Sequence, residues 1–191
     1  MGTAFYITCV TSAILIGMTV YVLRAKNKKT LHYSFLALLL TVFIWTVAVM
    51  LQRAFSAQTN LYVLFEFITY IGAAFAPVSM VFLAKIYAQP DKQVSSKLFL
   101  LFIVPVITLI MIWTNEGHQL FYLQYGFDGA PNIPGLYFYV HVAFSYVCLL
   151  YGFASLSISA IKNSGITSMQ ALLVLIGSII PTLVNLLYTL A

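Results

Sequence analysis

The stretch Leu61–Tyr87, LYVLFEFITYIGAAFAPVSMVFLAKIY, holds a single acid, Glu66, and a single base, Lys85. A helix crosses the hydrocarbon core with roughly 20 mostly apolar residues, so this run is long enough to span a bilayer. Comparable runs precede and follow it at Ala4–Leu23, Leu31–Leu51, Leu98–Thr114, Leu136–Ile161 and Met169–Ala191. None shows the period-two alternation of a membrane barrel strand. Across the chain 62% of residues are hydrophobic and 7% are charged, with a mean hydropathy of +1.00. A water-soluble domain carries about a quarter charged residues, which excludes that class. The expected fold is all-α: a polytopic membrane bundle of six transmembrane helices forming one domain over residues 1–191. Its one sizeable loop is residues 115–135.

Charge placement orients the bundle. Arg24, Lys26, Lys28 and Lys29 lie between the first two runs, Lys85, Lys92 and Lys97 around the third connection, and Lys162 after the fifth run. All fall on one side, and only Arg53 falls on the other. Basic loops stay cytoplasmic, so the N-terminus and the 115–135 loop are expected outside. The basic cluster follows the first run instead of preceding it, which makes that run an anchor and not a cleavable signal. Anionic lipid headgroups, not nucleic acid, are the partners expected for the basic side. Cys9 and Cys148 fall at different depths and are expected to be unpaired thiols.

Polar groups inside apolar spans are expensive, so their positions carry information. Glu66 lies roughly 8 Å below the outer end of its span at 1.5 Å per residue. Arg53 is the nearest base in sequence, and His141 enters the fifth span at similar depth. Helical phase puts Glu66, Tyr70, Ala73 and Pro77 on one stripe, and Tyr137, His141, Ser145 and Cys148 on another. Ser178, Thr182 and Asn185 share a face of the last span. Trp113, Asn115 and His118 cluster where the fourth span exits. Nearly all of these fall in the outer half. A ligand pocket open to the outside and a set of interhelical hydrogen bonds that only fix the bundle are both compatible with this pattern. His118, His141 and Glu66 or Glu116 lack close metal-ligand spacing, so no metal or other cofactor is expected. Pro77, Pro105 and Pro181 interrupt three spans, and Gly72 with Ala76 lets another helix approach closely. The 115–135 loop, rich in turn residues and in Phe121, Tyr122, Tyr125 and Phe127, fits either a lid or hairpin over the outer mouth or a segment resting among headgroups.

Phe65–Gly72 with its continuation through Pro77 to Tyr87 resembles the third helix of the seven-helix sensor module that precedes many bacterial and archaeal histidine kinases. Pro105–Phe121, with Thr114, Asn115, His118, Leu120 and Phe121, resembles that family's fourth helix and its Thr-Asn-x-x-His-x-Leu-Phe exit. The basic first loop and the Trp45 region fit as well. The resemblance implies a multi-pass sensor in the plasma membrane of a bacterium or archaeon, acting as part of a two-component system, with a possible homodimer. It also implies a seventh helix and an output domain beyond six spans. The chain is then either a sensor lacking its seventh helix or a six-helix relative.

The expected function is a sensory input module, not an enzyme. An outer-half pocket would bind an extracellular or lipophilic small molecule, with Glu66 and His141 as polar anchors. Arg53, Asn115 and His118 would stand at its mouth, and Tyr70, Trp113 and Tyr137 would form its walls, with Asn185 contributing from the last span. The alternative is a small-molecule carrier or permease subunit, which needs a polar path on both sides of the midplane and usually an internal repeat. Neither is evident in the sequence.

Overall fold

A computed structural model describes residues 3–26, 29–89, 94–127 and 130–190, and the side chains of these except 3–5, 180, 181 and 184–190. Helix α1 (Thr3–Leu23) is followed by α2 (Thr30–Ala54) and α3 (Thr59–Ala88). A 3-10 segment, Ser96–Phe102, runs directly into α4 (Ile103–Trp113), and a single turn, α5 (Asn115–His118), closes the fourth crossing. A two-stranded antiparallel hairpin, β1 (Tyr122–Gln124) and β2 (Ile133–Pro134), precedes α6 (Leu136–Lys162) and α7 (Gly165–Leu190). Among the described residues, five segments are long and apolar enough to cross a membrane. They are Tyr6–Leu23, Thr30–Ala54, Thr59–Ala88, Ser96–Trp113 and Leu136–Lys162, and Gly165–Ile179 adds a shorter apolar stretch. The structure is the membrane helix bundle expected from the sequence.

Helix α3 is the hub. Of its most apolar window 67% is buried, against 11% for α1 and for α2, and it packs on α2, α4 and α6. α1 is held by α2 through Leu15, Val22 and Leu39, and α7 rests on α6. The outward Ile14, Leu150, Ile161 and Leu173 are left for lipid to cover. The Tyr70 ring meets the His141 ring and Gly152 meets Met80, so α3 and α6 run in the same direction. On α6 the buried residues His141, Ser145, Cys148, Gly152, Leu156 and Ser159 recur at three- and four-residue intervals, one continuous stripe turned inward.

Proline and glycine set the local geometry. Pro105 is the third residue of α4, where the missing N–H is tolerated in a first turn, and its ring crowds the carbonyl four residues earlier. The chain upstream winds as a 3-10 helix, so Pro105 marks a change of helix type where the sequence predicted an interruption within the span. Pro77 lies inside α3, which continues through it. Gly165 opens α7 with φ +65, a left-handed conformation that suits glycine. Cys9 and Cys148 are free, as expected, and Cys9 Sγ lies 3.5 Å from Met50 Sδ.

Gly72 lets α2 and α3 touch backbone to backbone. A Cβ there would meet the Thr41 carbonyl oxygen and stand 2.7 Å from the Trp45 Cβ. Neither neighbour can move without shifting α2. At Gly152 the first atom met is Met80 Cγ at 2.9 Å, part of a flexible side chain. Gly72→Ala is therefore expected to destabilise the bundle by about 1–3 kcal/mol, and Gly152→Ala by clearly less. Unfolding of the two purified variants in detergent, followed by circular dichroism, checks this order.

Candidate functional site

Glu66 is 5% exposed, two turns into α3, and three neutral side chains donate to its carboxylate. Tyr122 Oη donates to Oε1 at 2.7 Å, Asn132 Nδ2 donates to the same oxygen at 2.9 Å, and Gln52 Nε2 donates to Oε2. Behind these donors stands a second layer. Tyr70 Oη lies 2.8 Å from Tyr122 Oη, and since Tyr122 donates onward to Glu66, Tyr70 is the donor to Tyr122. Asn132 Oδ1 accepts from the Gly126 amide at 2.7 Å and from Tyr62 Oη at 3.3 Å. Every hydrogen bond in the network points toward the carboxylate. The hairpin lies outside the spans, and its phenols stay protonated. Burial pushes Tyr122 well above the usual tyrosine value, with Tyr70 and Glu66 adding to the effect. Burial first and the Glu66 charge second push Tyr125 up to about 12.

The network joins three parts of the chain: α2 through Gln52, α3 through Glu66 and Tyr70, and both arms of the hairpin loop through Tyr122 and Asn132. Beneath it Phe121, 0% exposed, is wedged among the rings of Tyr70, Tyr122, Tyr137, Phe138 and His141 at centroid distances of 4.8 to 6.2 Å. His141 Nδ1 lies 3.4 Å from Thr108 Oγ1 on α4, and Tyr137 Oη lies 3.5 Å from the same hydroxyl. The 115–135 loop thus folds as a hairpin and inserts a side chain into the bundle.

The Thr-Asn-x-x-His exit builds the turn that aims Phe121. Asn115 Oδ1 accepts from the amides of Phe121 at 2.9 Å and Tyr122 at 3.0 Å, and its Nδ2 donates to the Tyr122 carbonyl at 2.8 Å. His118 Nδ1 accepts from the Leu120 amide at 3.0 Å, and its Nε2 lies 3.1 Å from Thr114 Oγ1. That pairing assigns the proton of neutral His118 to Nε2. Between them Gln119 takes φ 54, the left-handed step that turns the chain back over α4.

Of the residues singled out in the sequence, Glu66, Tyr70, Tyr137 and His141 come together with Asn115 directly above them. His118 serves the turn. Arg53 is exposed, and the donors to Glu66 include no base. Trp113 is 51% exposed, on the outward face of α4. The Asn185 side chain lies outside the described residues. Gln52, Tyr122, Asn132 and Thr108 join the site without having been expected there from the sequence. Gln52 had a signal, a polar residue in an apolar span, but Asn132 had none beyond its place in a loop. Two clefts, of about 440 Å³ at Gln58–Leu61 and about 270 Å³ at the inner end of α3, lie away from Glu66.

Asn115→Ala leaves two buried amides and a carbonyl unpartnered, at about 1–3 kcal/mol each. Asn115→Asp keeps the acceptor for both amides, while replacing the donor to Tyr122 with an oxygen that repels its carbonyl. The expected order of thermal stability, measured by unfolding in detergent, is wild type, then Asn115→Asp, then Asn115→Ala.

The family model described as the N-terminal 7TM region of histidine kinase matches residues 7–191. No curated protein and no solved structure gives a significant match. A match over nearly the whole chain joins the helix bundle and its Thr-Asn-x-x-His exit to one known type of membrane sensor: the chain belongs to the family of N-terminal 7TM regions of histidine kinases.

Proposed function

We propose that residues 1–191 work as one sensor unit, non-catalytic in itself, in the plasma membrane of a bacterium or archaeon. Its input is the junction between Glu66 and the hairpin. The signal is an extracellular or lipophilic small molecule that carries a hydrogen-bond donor. The observation that carries this reading is the Glu66 carboxylate: buried in the outer half, it is held, among the described residues, by neutral donors alone, two of them from the loop that faces outside by the charge bias.

A ligand donor that replaces Tyr122 or Asn132 on Glu66 frees one arm of the hairpin. Phe121 then loses its seat, and α3, α4 and α6, which meet in the cluster around it through Tyr70, Ile112 and His141, can repack. His141 stands on the α6 side of that cluster and Tyr70 on the α3 side, so both helices report the change inward. To drive such a switch from 1:99 to 99:1 the ligand needs about 5.5 kcal/mol of differential affinity between the two arrangements. The inner half supports a sensor over a carrier. Met80, Leu83, Ala84, Tyr87, Leu156 and Ala171 close it with an apolar core that offers solutes no polar path.

Thermal-shift screening of the purified chain with a panel of small amines, alcohols and lipophilic amides tests the site. At least one compound is expected to stabilise the wild type and to lose that effect in Glu66→Gln. Equal shifts in both proteins would overturn the Glu66 site. Phe121→Ala supplies an independent check. Hydrogen exchange at the Tyr122 and Leu123 amides is expected to accelerate at least tenfold, while the amides around Met80 and Leu83 stay protected.

A further inference from the structure

At the opposite end of α3 the geometry points to a site for the phosphate headgroup of an anionic phospholipid of the inner leaflet. Lys85, in the last turn of α3, and Lys97, on the 3-10 segment, line one cleft of about 270 Å³ together with Ser95, Leu98 and Leu101. Lys85 is 19 residues below Glu66, and Glu66 is itself roughly 8 Å below the outer end of the span, so Lys85 stands roughly 36 Å from that end, past a hydrocarbon core of about 30 Å. The cleft therefore opens where inner-leaflet headgroups lie.

Its construction suits a lipid better than a soluble anion. Two lysines from different elements line one space, and Leu98 and Leu101 give the same space an apolar wall. Behind them the rings of Phe82, Phe99 and Phe102 pack at 5.2 to 6.1 Å and fix the 3-10 segment against α3. The Ser95 hydroxyl accepts from the Lys97 amide at 3.4 Å and keeps its own hydrogen available to a phosphate oxygen. The described acids, Glu66 and Glu116, stand at the other end of the bundle, so no described carboxylate competes for the lysines. A lipid seated here ties the inner end of α3 to the start of α4, two of the helices that meet around Phe121 at the outer end.

Native mass spectrometry of the full chain in detergent, titrated with phosphatidylglycerol or phosphatidylcholine, tests the site. The wild type is expected to bind phosphatidylglycerol in preference. Each lysine near a membrane surface adds an attraction equivalent to about fivefold in affinity. Lys97→Gln, at an exposed position, is expected to lower phosphatidylglycerol affinity about fivefold, and Lys85→Gln with Lys97→Gln roughly twenty- to thirtyfold. Lys26→Gln with Lys29→Gln, on the first inner loop, is expected to leave it unchanged. Equal affinity for the two lipids, an equal loss in the Lys26/Lys29 variant, or displacement of the lipid by equimolar glycerol phosphate would each overturn the proposal.

Discussion

A carboxylate inside an apolar bundle must find hydrogen-bond donors, and much of the outer half of this protein is arranged around that requirement. Glu66 takes its donors from α2 and from the hairpin loop, and none of them carries charge. A lysine or arginine partner would bring its own desolvation cost into the membrane. Neutral amide and phenol groups avoid that cost and still form charge-assisted hydrogen bonds. The consequence is structural. A loop that satisfies Glu66 cannot lie loosely among headgroups, because Tyr122 and Asn132 must both reach below the outer end of α3.

The hairpin reaches that depth through a chain of local causes. Asn115 fixes the amides of Phe121 and Tyr122, Gln119 supplies the left-handed step, and His118 holds the Leu120 amide. With the backbone so held, Phe121 enters a cage of rings from α3 and α6 that Ile112 of α4 completes. Polar and apolar contributions are inseparable here. The hydrogen bonds above the ring place it, and the ring closes the space under the hydrogen bonds, keeping water from the network that a low dielectric strengthens.

The fold was legible because membrane helices announce themselves by length and hydropathy, and because the helical period put His141, Ser145 and Cys148 on the stripe that α6 does bury. Glu66 was legible because an acid in a span is conspicuous. Its partners were not, for two physical reasons. Charge complementarity favoured Arg53, but Gln52 is the adjacent residue, and one residue turns a helix by about 100°. The side chain that faces α3 is therefore the amide and not the base. Asn132 and Tyr122 are separated from Glu66 by 66 and 56 positions, and strands of two or three residues leave no periodic signal. Trp113, conspicuous at the exit of the fourth span, points outward because α4 buries Ile112 beside it.

The division between halves explains how one helix can serve both. α3 and α6 run parallel, touching through Tyr70 and His141 near the outside and through Met80 and Gly152 further in. At the outer contact, directional hydrogen bonds and edge-on rings define one arrangement, and losing a single donor changes its geometry. At the inner contact a glycine meets a methionine, whose flexible thioether arm can repack at little cost. The Glu66 end is thus the more rigidly defined of the two contacts, and the Met80 end the more adaptable.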